Sequence, residues 1–433
     1  MGEEREDGAR RVPKAARPFL SPQYRLLIGA LSLSIFGSGM WLVGIVFQVR
    51  ELGGGPIDLS FVATGNALGM VGAVLLGGVA ADRIPQKRIL LAVESAKFVA
   101  IALAAALALT GTLEVWHLAV ISLLLGVADG FFYPAYSALL PSILPAEHLL
   151  AANGFEGVLR PALMQAAGPA IASTLIAAFS PGAVFVVVAL SQVLAVAVLA
   201  LLRPTAVRRD LAEVDSHPLR GVLADIGGGF AYMVRTPWLL ATLLYALLLV
   251  LVIMGPIEVL LPFAVTRQTG GGALEFAIVL AAFGAGGVLG SIIVASLPLP
   301  RRYLTIMNLL WGAGSLPLAV LGVTTQLWVM VAALFIVGFC FQAATVIWGT
   351  LLQRRVPAQL LGRVSSLDFF VSLAFMPISM ALAGPIGELV GLAPTFLVAG
   401  IVPVFLAAGA ILIARLPADE IAHPLDERPE ASD

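Results

Sequence analysis

Five ionisable residues stand inside stretches otherwise too apolar for a water-soluble protein: Asp129, Glu156, Arg160, Glu258 and Asp368. An ionised group at the centre of a bilayer costs about 2.5–3.5 kcal/mol on insertion scales, so each needs a partner or a task. Asp129 and Arg160 each lie about 12 residues from one end of their stretch, about 18 Å deep at 1.5 Å per helical residue. Glu156 precedes Arg160 by one helical turn, where side chains meet. Two carboxylates competing for one guanidinium can do proton-transfer chemistry, because a proton on either acid loosens the cluster. The same three residues can also form a static ion network between two helices, and both readings stand open. Glu258 follows Gly255-Pro256, a helix break; it either takes a proton or cationic substrate from outside or is wetted at the external mouth. Asp368 is either a second coupling carboxylate or a partner for Arg363 or Arg354. Glu94 and Lys97, at i,i+3, read as a structural pair near the inner interface.

These residues sit in a duplicated chain. Gly126, Ser137, Leu139, Leu140, Pro145 and Ala146 recur 212 residues later as Gly338, Gly349, Leu351, Leu352, Pro357 and Ala358. Leu68, Gly72 and Gly78 recur as Leu280, Gly284 and Gly290, and Glu156 falls opposite Asp368. The period is too long for a solenoid. It marks two homologous halves, an arrangement that in membranes carries a pseudo-symmetry axis and a binding site between repeats.

Apolar residues make up 60% of the 433, charged residues 12%, and mean hydropathy is +1.00. Soluble domains carry about 25% charged residues. Apolar runs without period-2 alternation predict spanning helices, since backbone groups in lipid must bond within their own segment or in a closed barrel. Twelve spans are predicted near 24–49, 58–81, 89–110, 116–140, 149–179, 182–202, 237–264, 273–297, 303–323, 326–353, 362–387 and 393–415. The expected organisation is a tail (1–22), a six-helix half (23–203), a linker (204–236), a second half (237–416) and a tail (417–433). Within the linker, Leu219–Val234 has the pattern of a surface helix. With both termini inside, 21 of 25 Lys and Arg fall on the cytoplasmic side, which fixes the expected orientation. The polar N-terminal tail lacks the apolar core of a signal peptide.

The loop after span 2 reads Gly78-Val-Ala-Ala-Asp82-Arg83-Ile-Pro-Gln-Lys87-Arg88. It resembles the G-x-x-x-D-R-x-G-R-R signature of major facilitator superfamily transporters, with Pro85 and Gln86 replacing the Gly-Arg step. Asn153-Gly154, Gly168-Pro169, Asp129-Gly130-Phe131-Phe132 and Leu361-Gly362-Arg363-Val364-Ser365-Ser366 are similar to the branch holding the enterobactin exporter and macrolide and tetracycline efflux proteins. The resemblance implies an all-α fold of twelve helices in two pseudo-symmetric halves. It implies that Asp82 latches onto the start of span 11 near Arg363 through the positive end of that helix. Arg83, Lys87 and Arg88 either share the latch or fix topology. Gly168 and Pro169 resemble the span-5 antiporter motif, associated with export. Ser122 and Ser38 stand where relatives carry an Arg in span 4 and an Asp in span 1, so the usual coupling groups are missing.

No phosphate-binding G-x-x-x-x-G-K-[ST] loop occurs, which excludes encoded ATP-driven pumping. Four His, no H-E-x-x-H and a single Cys leave no ligand set for a metal, and no cofactor is expected. The expected function is not enzymatic: a proton-coupled exporter of drugs or siderophore-like molecules by alternating access, with a small-solute importer as the alternative. The expected setting is the bacterial cytoplasmic membrane, with a small-molecule substrate, protons and lipid as partners. No nucleic-acid partner is expected, and the chain is expected to be a monomer.

Overall fold

The computed structural model describes residues 14–203 and 230–425; the described residues form helices and no strand. Twelve helices are long and apolar enough to cross a membrane. Those preceding the linker are α1 (Pro22–Glu51), α2 (Pro56–Ala81), α3 (Gln86–Leu109), α4 (Val115–Ile143), α5 (Ala151–Ala178) and α6 (Pro181–Ala200). After it come α7 (Pro237–Thr269), α8 (Ala273–Ser296), α9 (Tyr303–Leu321), α10 (Leu327–Arg355), α11 (Leu367–Leu389) and α12 (Leu392–Ile413). A short α13 (Leu416–Ala422) follows. Number and order match the expected spans. The linker segment expected as a surface helix lies outside the described residues up to position 229, and residues 230–235 are helical.

Each span starts where the sequence supplies a start. Pro22, Pro56, Pro181 and Pro237 occupy first-turn positions, where a missing N–H costs nothing. Ser21 and Ser180 add hydroxyl caps, accepting from the backbone N–H of Tyr24 and Ala183 at 3.3 Å each.

The chain divides into two compact units, Met1–Glu213 with Gly271–Ala281, and Val214–Gly270 with Ala282–Asp433. In the first unit α2 and α4 approach so closely that a Cβ on Gly126 would sit 1.9 Å from the Asn66 carbonyl oxygen. In the second unit a Cβ on Gly338 would sit 2.1 Å from the Phe283 carbonyl oxygen on α8. The glycines repeated 212 residues apart therefore do the same work in each half. They let two backbones touch where lipid offers no hydrophobic push between helices.

Three spans expected to be continuous are not. In α5 a π-helical stretch, Pro161–Ala167, interrupts the α-helix, and α7 carries another at Pro256–Leu260. At α11 the helix Ala358–Ala374 ends and a new one starts at Met376. Proline at the start of each π stretch removes a donor from the ladder, and such bulges concentrate at functional sites.

Candidate functional site

The first unit holds a buried charge cluster shared by three helices. From α3, Lys97 Nζ lies 2.6 Å from Asp129 Oδ1 on α4 and 3.7 Å from Glu94 Oε1 one turn earlier on α3. From α1, the Ser34 hydroxyl donates to the same Glu94 oxygen at 2.9 Å. The ammonium also lies 5.0 Å from the centroid of the Phe132 ring, a favourable cation–π distance. The Glu94 and Lys97 side chains are 1% and 5% exposed, whereas Asp129 is 32% exposed and forms the open end. Glu94 Oε2 is buried and has no hydrogen-bond partner among the described residues. Two carboxylates thus face one ammonium. One further positive charge, a proton or a cationic ligand, completes the balance.

The second cluster sits one turn further along α4. Arg160 Nε donates to Glu156 Oε1 at 2.7 Å, and the guanidinium carbon lies 5.1 Å from the centroid of the Tyr133 ring. Arg160 is the last residue before the π-helical stretch. Gly168 and Pro169 begin the α-helix beyond it and are buried. A Cβ on Gly168 would come within 2.9 Å of Gly39 on α1, so this motif marks a close crossing.

The expected Asp129–Glu156–Arg160 triad is therefore two clusters. Asp129 takes Lys97, and Glu156 takes Arg160. Depth along the helices was legible, but rotation about their axes was not: α3 packs beside α4 and delivers a long side chain that reaches Asp129 first. Glu94 and Lys97, expected as a peripheral pair near the interface, are instead the most buried part of the first cluster.

In the second unit, Asp368 accepts from Trp348 Nε1 on α10 at 3.1 Å and from the Ser372 hydroxyl at 3.4 Å. It forms no ion pair with a described side chain; the Arg363 side chain lies outside the described set. Glu258 sits inside the π-helical stretch of α7. Immediately before it, Ser379 of α11 accepts from the Gly255 N–H at 2.8 Å and donates to the Leu251 carbonyl at 2.7 Å. One foreign hydroxyl thus bridges the donor and acceptor of a single α7 turn, a recognised cause of bending.

Of the loop signature, the Asp82 side chain lies outside the described residues. Lys87 donates to the Ala200 carbonyl at 2.8 Å and to the Leu202 carbonyl, capping the C-terminal end of α6 within its own unit. Arg83 and Arg88 are exposed, and a Cβ on Gly78 would meet open space.

Residues 14–431 match a family described as transmembrane secretion effector. The chain belongs to this family of major facilitator transporters. It is 27% identical over 410 residues to the multidrug efflux pump Tap of Mycolicibacterium fortuitum, covering 91% of this chain and 96% of that one. It is 23% identical over 374 residues to macrolide efflux protein A of Streptococcus pyogenes, covering 85% and 90%. The nucleoside transporter NupG has the same fold at TM-score 0.72 and 13% identity, over 90% of this chain and 98% of that one.

In this transporter, sequence reasoning overlooked Ser34 and Ser379. Each is a lone hydroxyl in an apolar helix, a residue type that usually bonds back to its own i−4 carbonyl. Nothing in the sequence separates these two from Ser38, which does bond back to Ser34. Lys97 was the detectable one: a lysine in the middle of an apolar helix is rare enough to demand a partner from another helix.

Proposed function

We propose that this multi-pass transporter is a proton-coupled exporter of amphipathic small molecules, drugs or siderophore-like compounds, working by alternating access in a bacterial cytoplasmic membrane. Both termini lie inside, as the distribution of Lys and Arg argues. The observation that carries the coupling is the Lys97 ammonium shared unequally between Asp129 and Glu94, with the Asp129 end open. A proton or a cationic substrate arriving at Asp129 cancels its hold on Lys97. The ammonium then shifts towards Glu94, about 1 Å beyond hydrogen-bond distance, and the tie between α3 and α4 slackens. Return of the Asp129 charge restores the tie. One acid therefore answers to both proton and substrate, which is what exchange of the two requires.

Glu156–Arg160 supports the same reading as a second tie beside the π-helical stretch of α5. Asp368 and Glu258 are the carboxylates proposed to serve the second unit. Asp82 with Arg363 is proposed as the conformational latch, together with Gly78, Arg83 and Arg88. Outward direction is supported by the Gly168-Pro169 pair and by relatives whose names state efflux.

The test uses purified protein in liposomes with a trapped pH-sensitive dye and a probe panel of erythromycin and tetracycline. Substrate accumulation into acid-loaded vesicles with matching proton exit is the expected result. Substrate movement with no proton movement removes the coupling. Movement of substrate and proton in the same direction favours the import alternative.

A further inference from the structure

The inner end of the second unit, by the Lys and Arg count, contains a cavity of about 580 Å³ that the transport cycle described above does not use. Its walls come from the start of α7, the end of α10 and the segment after α13, all within one unit. Arg235, Arg354 and Arg355 line it against a single carboxylate, Asp419, an excess of two positive charges with His423 neutral.

The cavity is built and is more than a scatter of topology-setting charges. The Arg355 side chain is only 7% exposed; its guanidinium bonds Asp419 and lies 4.6 Å from the Trp238 ring centroid. Asp419 is itself positioned, because α13 is pinned to α9. Glu420 accepts the Leu304 and Thr305 N–H groups at 2.8 and 3.1 Å, and Tyr303 donates to the His423 carbonyl at 2.8 Å. Asp419 neutralises Arg355, so the charge excess rests with the exposed Arg235 and Arg354 at the opening. The surface beside the opening is apolar. Phe230 and Val234, at i,i+4, are exposed on one side, and Ile413 and Ile421 on the other.

We propose that this cavity binds a phosphate ester, and that its bound form is the headgroup of an anionic phospholipid. Guanidinium groups match phosphate oxygens in geometry and charge. The indole of Trp238 suits the headgroup level of a bilayer. The exposed aliphatic side chains suit the acyl chains below it. The cavity's residues are separate from the Lys97 cluster, so this proposal stands or falls independently of the coupling mechanism.

The test is native mass spectrometry of the full-length protein, delipidated and titrated with phosphatidylglycerol, with phosphatidylethanolamine, and, in a separate arm, with inorganic phosphate. One retained phosphatidylglycerol is expected in preference to phosphatidylethanolamine. Arg235→Gln and Arg354→Gln should each lower its affinity about fivefold, since one basic residue near an anionic lipid is worth that factor. Both arginines are exposed, so folding should survive, which thermal melting checks. Arg267→Gln, predicted at the other membrane face, should change nothing. Binding of inorganic phosphate alone, with the same response to Arg235→Gln, keeps the phosphate site and makes its ligand soluble. Equal retention of both lipids, equal loss in Arg267→Gln, or no binding in any arm overturns the proposal.

Discussion

Replacing Lys97 by Met should damage this protein more than replacing either of its partners. The ammonium is 5% exposed and serves two carboxylates, so its loss leaves Glu94 and Asp129 facing one another without a cation. Breaking a buried ion pair from one side costs about 3–5 kcal/mol. Because Asp129 is 32% exposed and keeps some water, the lower end, about 3 kcal/mol, is the expected value for this site. Asp129→Asn leaves Lys97 with Glu94 at 3.7 Å and retains an amide oxygen as acceptor. Its cost should be nearer 1 kcal/mol, the difference between a charge-assisted and a neutral hydrogen bond. The double variant Lys97→Met/Asp129→Asn removes both ends of the shorter pair and should recover part of the loss of Lys97→Met. Thermal unfolding of the four proteins in one detergent, read as a double-mutant cycle, measures these differences. In liposomes, Asp129→Asn should lose pH-driven efflux and retain counterflow, which needs no net proton movement. Equal destabilisation by Lys97→Met and Asp129→Asn, or no recovery in the double variant, refutes the shared-ammonium reasoning.

Arg160→Ala should destabilise more than Glu156→Gln, because it strands a carboxylate and also removes the contact with Tyr133; melting curves of the two variants check the order. Ser379→Ala removes the hydroxyl that bridges Gly255 N–H and Leu251 carbonyl. A loss of about 1–2 kcal/mol is expected, and a silent substitution would mean that the π-helical stretch of α7 needs no support from α11. Gly126→Ala and Gly338→Ala should both impair folding, since each new Cβ would meet a carbonyl oxygen at 1.9 or 2.1 Å that belongs to a neighbouring helix. Expression and size-exclusion profiles report the outcome, and normal behaviour of either variant argues against the close crossings. Asp368→Asn can keep the Trp348 hydrogen bond and should leave stability nearly unchanged while reducing proton-gradient efflux; unimpaired efflux removes Asp368 from the coupling route.

Much of the architecture was legible before any coordinates. Apolar length, the Lys and Arg distribution and the repeat at 212 residues depend only on composition and order along the chain. The need of backbone groups for internal hydrogen bonds in lipid converts such patterns directly into spanning helices. Gly126 and Gly338 were visible as repeated landmarks because close helix packing tolerates no side chain there. The depth of Asp129 and Arg160 was also readable, since rise per residue is constant.

Partner choice was not legible. A helix of known depth can still face any direction, and a rotation of a few tens of degrees decides whether Asp129 meets Arg160 or Lys97. That rotation comes from the packing of α1, α3, α4 and α5 against one another, which no single segment encodes. The same holds for Ser34 and Ser379, ordinary hydroxyls until a neighbouring helix presents a carboxylate or an opened turn. It holds also for the arginine-lined cavity, whose walls are residues more than a hundred positions apart in the chain. Sequence order set what could cross the membrane and how deep each charge lies; only the tertiary packing of helices decided which charges meet, because side-chain contact depends on rotation and register and not on depth.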